Sequence, residues 1–252
     1  MSMNLRQKIK GAVYPVGNLV PTSRYSNQSF RSWPAMTAVL YDIKVPNAVR
    51  PKPAPTPASG ANINILLDLL DVTQAVSGDI GECGVFRGRT LVPMGIYLAQ
   101  QNSPKHIFGF DSFEGFDDAI KVDVVMGGEE CKDRHVGAFN ETSVGLVQKK
   151  LSRFGVKRAT LVKGYFRDTL TRYQDRQFSF VHLDCDIYES YKETLEFFYP
   201  RTNTGGIILF DEYRDPRWPG CTKAIDEFLA DKREKPIKIM RQNDEKFYIQ
   251  KM

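Results

Sequence analysis

Two short blocks of the 252-residue chain set carboxylates directly after apolar runs. One is His182-Leu-Asp184-Cys-Asp186, which follows Phe178-Ser-Phe-Val181; the other is Asp211-Glu212, which follows Ile207-Ile-Leu-Phe210. If the two runs are neighbouring strands, as many as four carboxylates converge at one edge of a pocket. Uncompensated, such a cluster raises its own pKa values. A hard divalent cation relieves the repulsion, and all-oxygen ligation suits magnesium or calcium better than zinc. Separate helix caps and surface carboxylates are the plainer alternative. His182 lies two residues before Asp184 and so shares its strand face, although a lone strand histidine is ordinarily a satisfied core residue.

Two further blocks suit a nucleoside. In Gly81-Glu82-Cys-Gly84-Val-Phe-Arg-Gly88-Arg-Thr90, glycines at a strand-to-helix turn let the backbone approach a ligand closely. The helix N-terminus that follows favours anionic groups. This is not the dinucleotide spacing G-x-G-x-x-G. Asp111, in FGFDSFEGF, ends the next strand, where its carboxylate can accept from both ribose hydroxyls. A helix cap is the competing role, since aspartate is a favoured N-cap.

The elements that must position these residues alternate. Residues 64–76 read as a helix, GDIGECGV as a strand, Thr90 to Gln101 as a helix and HIFGFDS as a strand. A polar segment over 113–139 is too long for a passive connection and reads as a lid, mobile without substrate, with Glu129, Glu130 and His135 as candidate acceptor contacts. Val144, Val147, Leu151 and Phe154 recur at helical spacing; ATLVKGY and FSFVHLDC are strands; Tyr188, Tyr191, Leu195 and Phe198 mark a helix. GGIILFDEY is a buried strand, Ala224 to Leu229 a last helix, and PIKIMRQ and KFYIQ flank a hairpin turn. Such alternation gives a mostly parallel sheet covered on both faces, with ligands outside the carboxyl ends of the strands. Residues 1–60, crowded with Pro46, Pro51, Pro53, Pro55 and Pro57, read as an arm and stiff linker, and 61–252 as the main domain.

Composition narrows the classes. At 42% hydrophobic and 26% charged, the chain is globular rather than disordered or fibrous. It has no apolar run long enough to span a bilayer, and the N-terminus makes a poor signal peptide, so a cytoplasmic location is expected. Cys83, Cys131, Cys185 and Cys221 lie far apart, and with three histidines there is no zinc spacing. The net charge of +5 is mild, and the basic clusters at 149–163 and near the C-terminus read as solvated faces rather than a nucleic-acid site.

Taken together, GDIGECGVFRGRT, FDSFEGF, KGYFRDTL, HLDCDIYESY and TGGIILFDEY resemble, in order and spacing, the S-adenosylmethionine-dependent sugar O-methyltransferases of the macrocin and mycinamicin type. The resemblance covers roughly 61–252. It implies a Rossmann-like class I α/β fold, a seven-stranded mostly parallel sheet with one antiparallel edge strand. It places Glu82, Gly84, Gly88 and Thr90 at the methionine end of the cofactor, Asp111 and Ser112 at the ribose, and Tyr165 and Phe166 near the adenine. Asp184, Asp211 and Glu212 would bind magnesium or another divalent cation. The family usually carries two aspartates in the last block; Glu212 is one methylene longer.

The expected function is therefore metal-dependent methyl transfer to a hydroxyl of a small-molecule sugar or polyol, with no nucleic-acid or membrane partner. Homo-oligomerisation is compatible with the chain. A metal bound to two adjacent substrate oxygens would lower the hydroxyl pKa, and Asp184 is the candidate proton acceptor. Related catechol-type enzymes carry a lysine base three residues after the first metal aspartate, where this chain has Ile187. A glycosyltransferase using D-x-D leaves the glycine turn and DSFEG unexplained, and a nicotinamide-linked oxidoreductase lacks its glycine motif. A catalytically dead binding module would have little use for the retained carboxylates.

Overall fold

A computed structural model of the chain describes residues 57–126, 133–241 and 244–252. The arm read over 1–60 thus lies outside the described residues as far as position 56. Its last four residues belong to the first helix, α1, Pro57–Val72. Proline at the first helical position gives up no hydrogen bond, because the first-turn N–H groups have no intrahelical acceptor. The last proline of the crowded stretch therefore opens a helix where a linker was expected.

The order continues β1 Asp79–Cys83, α2 Leu91–Gln100, β2 Ile107–Asp111, α3 Lys121–Met126, α4 Val144–Arg153, β3 Ala159–Lys163 and a single turn α5, Phe166–Thr169. Then come β4 Phe178–Leu183, α6 Tyr188–Phe198, β5 Thr202–Phe210, α7 Pro219–Leu229, β6 Ile237–Arg241 and β7 Asp244–Gln250. One seven-stranded sheet results, in the order β3-β2-β1-β4-β5-β7-β6. The first five strands are parallel. β7 is antiparallel to both its neighbours. The hairpin does occupy the edge, but its antiparallel member sits one place in and β6 forms the rim.

Alternation along the strands builds two cores. Ile80, Phe180 and Leu209 face α1, α2 and α4, with Leu66, Ile96 and Leu151 among their partners. Val181, Leu183 and Phe210 face α6 and α7, against Leu195 and Ile225. Each of these side chains is almost fully buried and contributes roughly 1.5–3 kcal/mol by leaving water. On the first face, α1 is fastened to the edge by Asp68, whose Oδ2 accepts from Arg241 Nε at 2.7 Å. Burial outweighs that pairing and pushes Asp68 up to about 6.

The 113–139 segment holds the short helix α3, and its described parts are fastened at two places. Gly137 N–H donates to Phe116 O at 2.7 Å and Phe116 N–H to Ala138 O at 3.1 Å, closing a neck. Phe116, Phe139 and Trp218 pack edge-on around it. Further out, Asp123 is fully buried and caps α6, accepting from Tyr188 N at 3.0 Å. Gly220, on α7, makes room for that carboxylate: a Cβ there would lie 1.9 Å from Asp123 Oδ1. Glu129 and Glu130 lie outside the described residues, and His135 is exposed.

Candidate active site

The sheet order reverses direction between β1 and β4, and in an open α/β sheet that switch point is where ligands sit. A cavity of about 420 Å³ opens there, a size typical of small-molecule sites. Backbone bonds carry the ladder past the strand ends: Gly84 N–H donates to Phe110 O, Asp184 N–H to Cys83 O and Asp211 N–H to Leu183 O. The loops holding the chemistry are thus held in register with the sheet.

The glycine turn is built around a close approach. Gly84, at φ +87°, has no room for a side chain, since a Cβ would fall 1.6 Å from Asp184 O. Phe86 also takes a positive φ, 45°. Asp111 holds the turn in place: one carboxylate oxygen accepts from Phe86 N at 2.7 Å and the other from Phe113 N at 2.6 Å. This joins the turns after β1 and β2 and leaves further lone pairs on both oxygens, facing the cavity. Burial pushes the Asp111 carboxyl up, against the backbone donors of Phe86, Phe113 and Val85. Ser112, Tyr165 and Phe166 line the same cavity, as do Gly84 and Thr90. Gly88 stands behind, packed against Val147 and Val92.

Glu82 is completely buried on β1, opposite His182 in the register with β4. Its Oε1 accepts from His182 Nδ1 at 3.0 Å, while Oε2 has no hydrogen-bond partner among the described residues. On its other side His182 Nε2 lies 3.7 Å from Asp211 Oδ1. Burial disfavours a charged imidazole, but the flanking carboxylates of Asp211 and Glu82 win and push His182 up to about 10. Asp211 is in turn held by Lys246 of β7, 2.5 Å from its Oδ1. Despite burial, Lys246 and His182 keep its carboxyl far below the ordinary range. A buried line of alternating charge, Glu82–His182–Asp211–Lys246, therefore runs across β1, β4, β5 and β7.

Asp184, Asp186 and Glu212 gather at the other side. One oxygen from each lies within 4.8 Å of the others. Burial and repulsion among these carboxylates and the nearby Asp211 push Asp184 up to about 6 and raise Asp186 and Glu212 well above the carboxylate range. All-oxygen donors with unrelieved negative charge fit a hard divalent cation. Of the expected metal set, Asp184 and Glu212 meet. Asp211 is not one of the three within that distance and pairs instead with Lys246 and His182, while Asp186 is the third member. Asp186 was visible in the sequence as one of the four converging carboxylates, though not in the set taken from the family. Lys246 was missed, its only sequence trace being an inward position on the last strand.

Residues 62–244 match the model of the Macrocin-O-methyltransferase (TylF) family. Over 157 residues the chain is 29% identical to the mycinamicin III 3''-O-methyltransferase of Micromonospora griseorubida, covering 61% of each. It is 28% identical over 160 residues to the 8-demethyl-8-(2,3-dimethoxy-alpha-L-rhamnosyl)-tetracenomycin-C 4'-O-methyltransferase of Streptomyces olivaceus, covering 62% of this chain and 60% of that one. The chain thus spans about three fifths of the length of these relatives. The crystal structure of CalS11, a calicheamicin methyltransferase, superposes with a TM-score of 0.63 at 26% identity, over 75% of this chain and 78% of that one. With the family match running through most of the described sheet, the chain belongs to the macrocin O-methyltransferase (TylF) family.

Proposed function

We propose that this protein transfers a methyl group from S-adenosylmethionine to a hydroxyl of a sugar or related polyol on a small molecule, with a divalent cation at the acidic cluster. One observation carries the reading. Asp184 and Asp186 line the cavity at the switch point and converge with the buried Glu212, and Glu82 Oε2, a buried acceptor without a partner among the described residues, stands on β1 just before the glycine turn that lines the other side. A cationic amino-acid end suits the first and a hard cation the second. The relatives' names, which include a methyl transfer on a rhamnosyl compound, support a sugar acceptor.

In this reading Glu82 accepts from the cofactor's ammonium beside Gly84, Gly88 and Thr90. Asp111 takes the ribose hydroxyls, with Ser112 adjacent, and Tyr165 and Phe166 flank the adenine. Asp184, Asp186 and Glu212 would hold the cation, which when bound supplies Lewis-acid lowering of a hydroxyl pKa. The reaction is an in-line displacement: the hydroxyl oxygen bonds to the methyl carbon, the carbon–sulfur bond breaks, and the thioether leaves. The chain's main work is to align these partners. Carboxylates of Glu82 and Asp211 face the two nitrogens of His182 and favour its charged form, which makes it a poor base; Asp184, at the tip of β4, takes the hydroxyl proton.

No finding favours the nucleotide-sugar transferase alternative. The deciding experiment incubates the protein with labelled S-adenosylmethionine, magnesium and a panel of sugars, glycosides and catechols. Label should pass to a sugar hydroxyl, and Asp184→Asn should abolish transfer while leaving affinity for S-adenosylhomocysteine within a few-fold. Label on catechols alone, or full activity in excess chelator, would overturn the reading.

A further inference from the structure

Where Ser112, Tyr165 and Phe166 line the cavity, it is flanked by two turns, one after β2 and one after β3. An ion pair joins them. Asp117 Oδ2 lies 2.6 Å from Nη2 of Arg167, on α5. Asp117 lines the cavity and the arginine side chain is 47% exposed, so the pair stands where the cavity meets solvent. An exposed ion pair by itself contributes little, because two flexible side chains must be fixed to form it. Here both side chains are braced. Asp117 Oδ1 accepts from Ala119 N at 3.0 Å. The guanidinium lies over the Tyr165 ring, 4.7 Å from its centroid, a cation–π contact. The Arg167 backbone N–H in turn donates to Glu193 Oε2, on α6, at 3.1 Å. Glu114 and Lys163 form a second pair between the same two turns, at 2.8 Å, but neither of them lines the cavity.

We propose that Asp117 and Arg167 are positioning residues that form a clasp beside the adenine, steadying Tyr165 and slowing release of the cofactor and its demethylated product. The inference rests on the cofactor reading above, in which Ser112 stands at the ribose and Tyr165 and Phe166 flank the adenine. The planar guanidinium limits the swing of the tyrosine ring, and its tether to Asp117 holds the turn after β2 against the turn after β3. An adenosine held between these turns leaves only when they part. The pair therefore acts on the rate of leaving rather than on the chemical step.

The test measures association and release of S-adenosylhomocysteine on the full chain by surface plasmon resonance. The wild-type protein should bind it. Arg167→Gln and Asp117→Asn should each speed release by about fivefold, with association within about twofold, since changes at a binding interface fall mostly on release. Asparagine keeps the oxygen that accepts from Ala119 N, so the turn survives the substitution. The double variant should release no faster than either single one, because each alone already opens the clasp. Arg167→Lys keeps the charge but not the planar stack on Tyr165, so its release should fall between wild type and Arg167→Gln. Glu114→Gln, which removes a charge from the outer pair, should leave release unchanged. Unaltered release in both Arg167→Gln and Asp117→Asn, or effects that simply add in the double variant, overturns the clasp while leaving the cofactor site standing. Equal acceleration by Glu114→Gln does the same, by tracing the effect to general loosening of the turns. No binding by the wild type overturns the cofactor reading itself and this inference with it.

Discussion

Nδ1 of His182 lies 3.0 Å from Oε1 of Glu82, two side chains that the sheet register sets side by side on β4 and β1. The contact makes a cation the neighbour of a carboxylate that would otherwise be buried without compensation. Breaking a buried pair from one side costs about 3–5 kcal/mol. His182→Gln, which keeps a donor but loses the charge, should therefore melt several degrees lower and bind S-adenosylhomocysteine at least about tenfold more weakly, since one ten-fold step is only about 1.4 kcal/mol. The linkage has a definite sign. A histidine raised from 6.5 to about 10 stabilises the fold fully below its unfolded pKa, and this share is lost as pH rises toward 10. Thermal melts across that window should fall more steeply for the wild type than for His182→Gln; parallel curves would contradict the assignment.

Asp111 should matter twice, once for the turn it braces and once for the ligand. Hydrogen bonds to a charged acceptor are worth about 1.5–3 kcal/mol each. Calorimetry on Asp111→Ala should show affinity for S-adenosylhomocysteine reduced at least about tenfold. Unchanged affinity in a folded variant would remove Asp111 from the ribose site.

On α1, Asp68 offers an independent pH signature. Its carboxyl is raised from 3.8 to about 6, so the folded state takes up the proton first, and this group's share of the stability falls as pH rises between those values. In Asp68→Asn that slope should vanish from the melting curves over the same interval. Persistence of the slope would assign it to other carboxylates.

Gly220→Ala tests the strut between α3, α6 and α7. The new methyl must displace Asp123 from its cap on Tyr188 N. Overpacking of this kind costs about 1–3 kcal/mol, or roughly 2–4 °C in Tm per kcal/mol for a domain of this size. A melting point equal to that of the wild type would show that Asp123 yields without loss.

Strand tips were the most legible part of the sequence, because a buried strand announces its own end. Asp111, Asp184 and Asp211 each follow an apolar run, and each stands at the cavity. What pattern could not supply was the direction of side chains beyond the strand. Asp186 adopts a left-handed turn, φ 60°, which strand alternation does not describe. Asp211 and Glu212 are adjacent in sequence but diverge, one toward Lys246 and the other toward Tyr191. Pairing by side-chain reach across β5 and β7 depends on a register that only the assembled sheet fixes. Pro57 misled for a simpler reason: the same residue that breaks a helix interior begins a helix well.

The place of β7 bears on how the molecule is made. Among the described strands, β7 is inserted between two strands that precede it in the chain, and β6 pairs with no other described strand. Until that segment emerges, the sheet ends at β5 with an open edge, and Asp211 faces the future position of Lys246 without its counter-charge. Completion of this sheet and the pairing of Asp211 with Lys246 therefore arrive together, when β7 docks. A chain released before residue 244 would lack the pairing of two strands rather than one, and would leave Asp211 without the lysine that balances it.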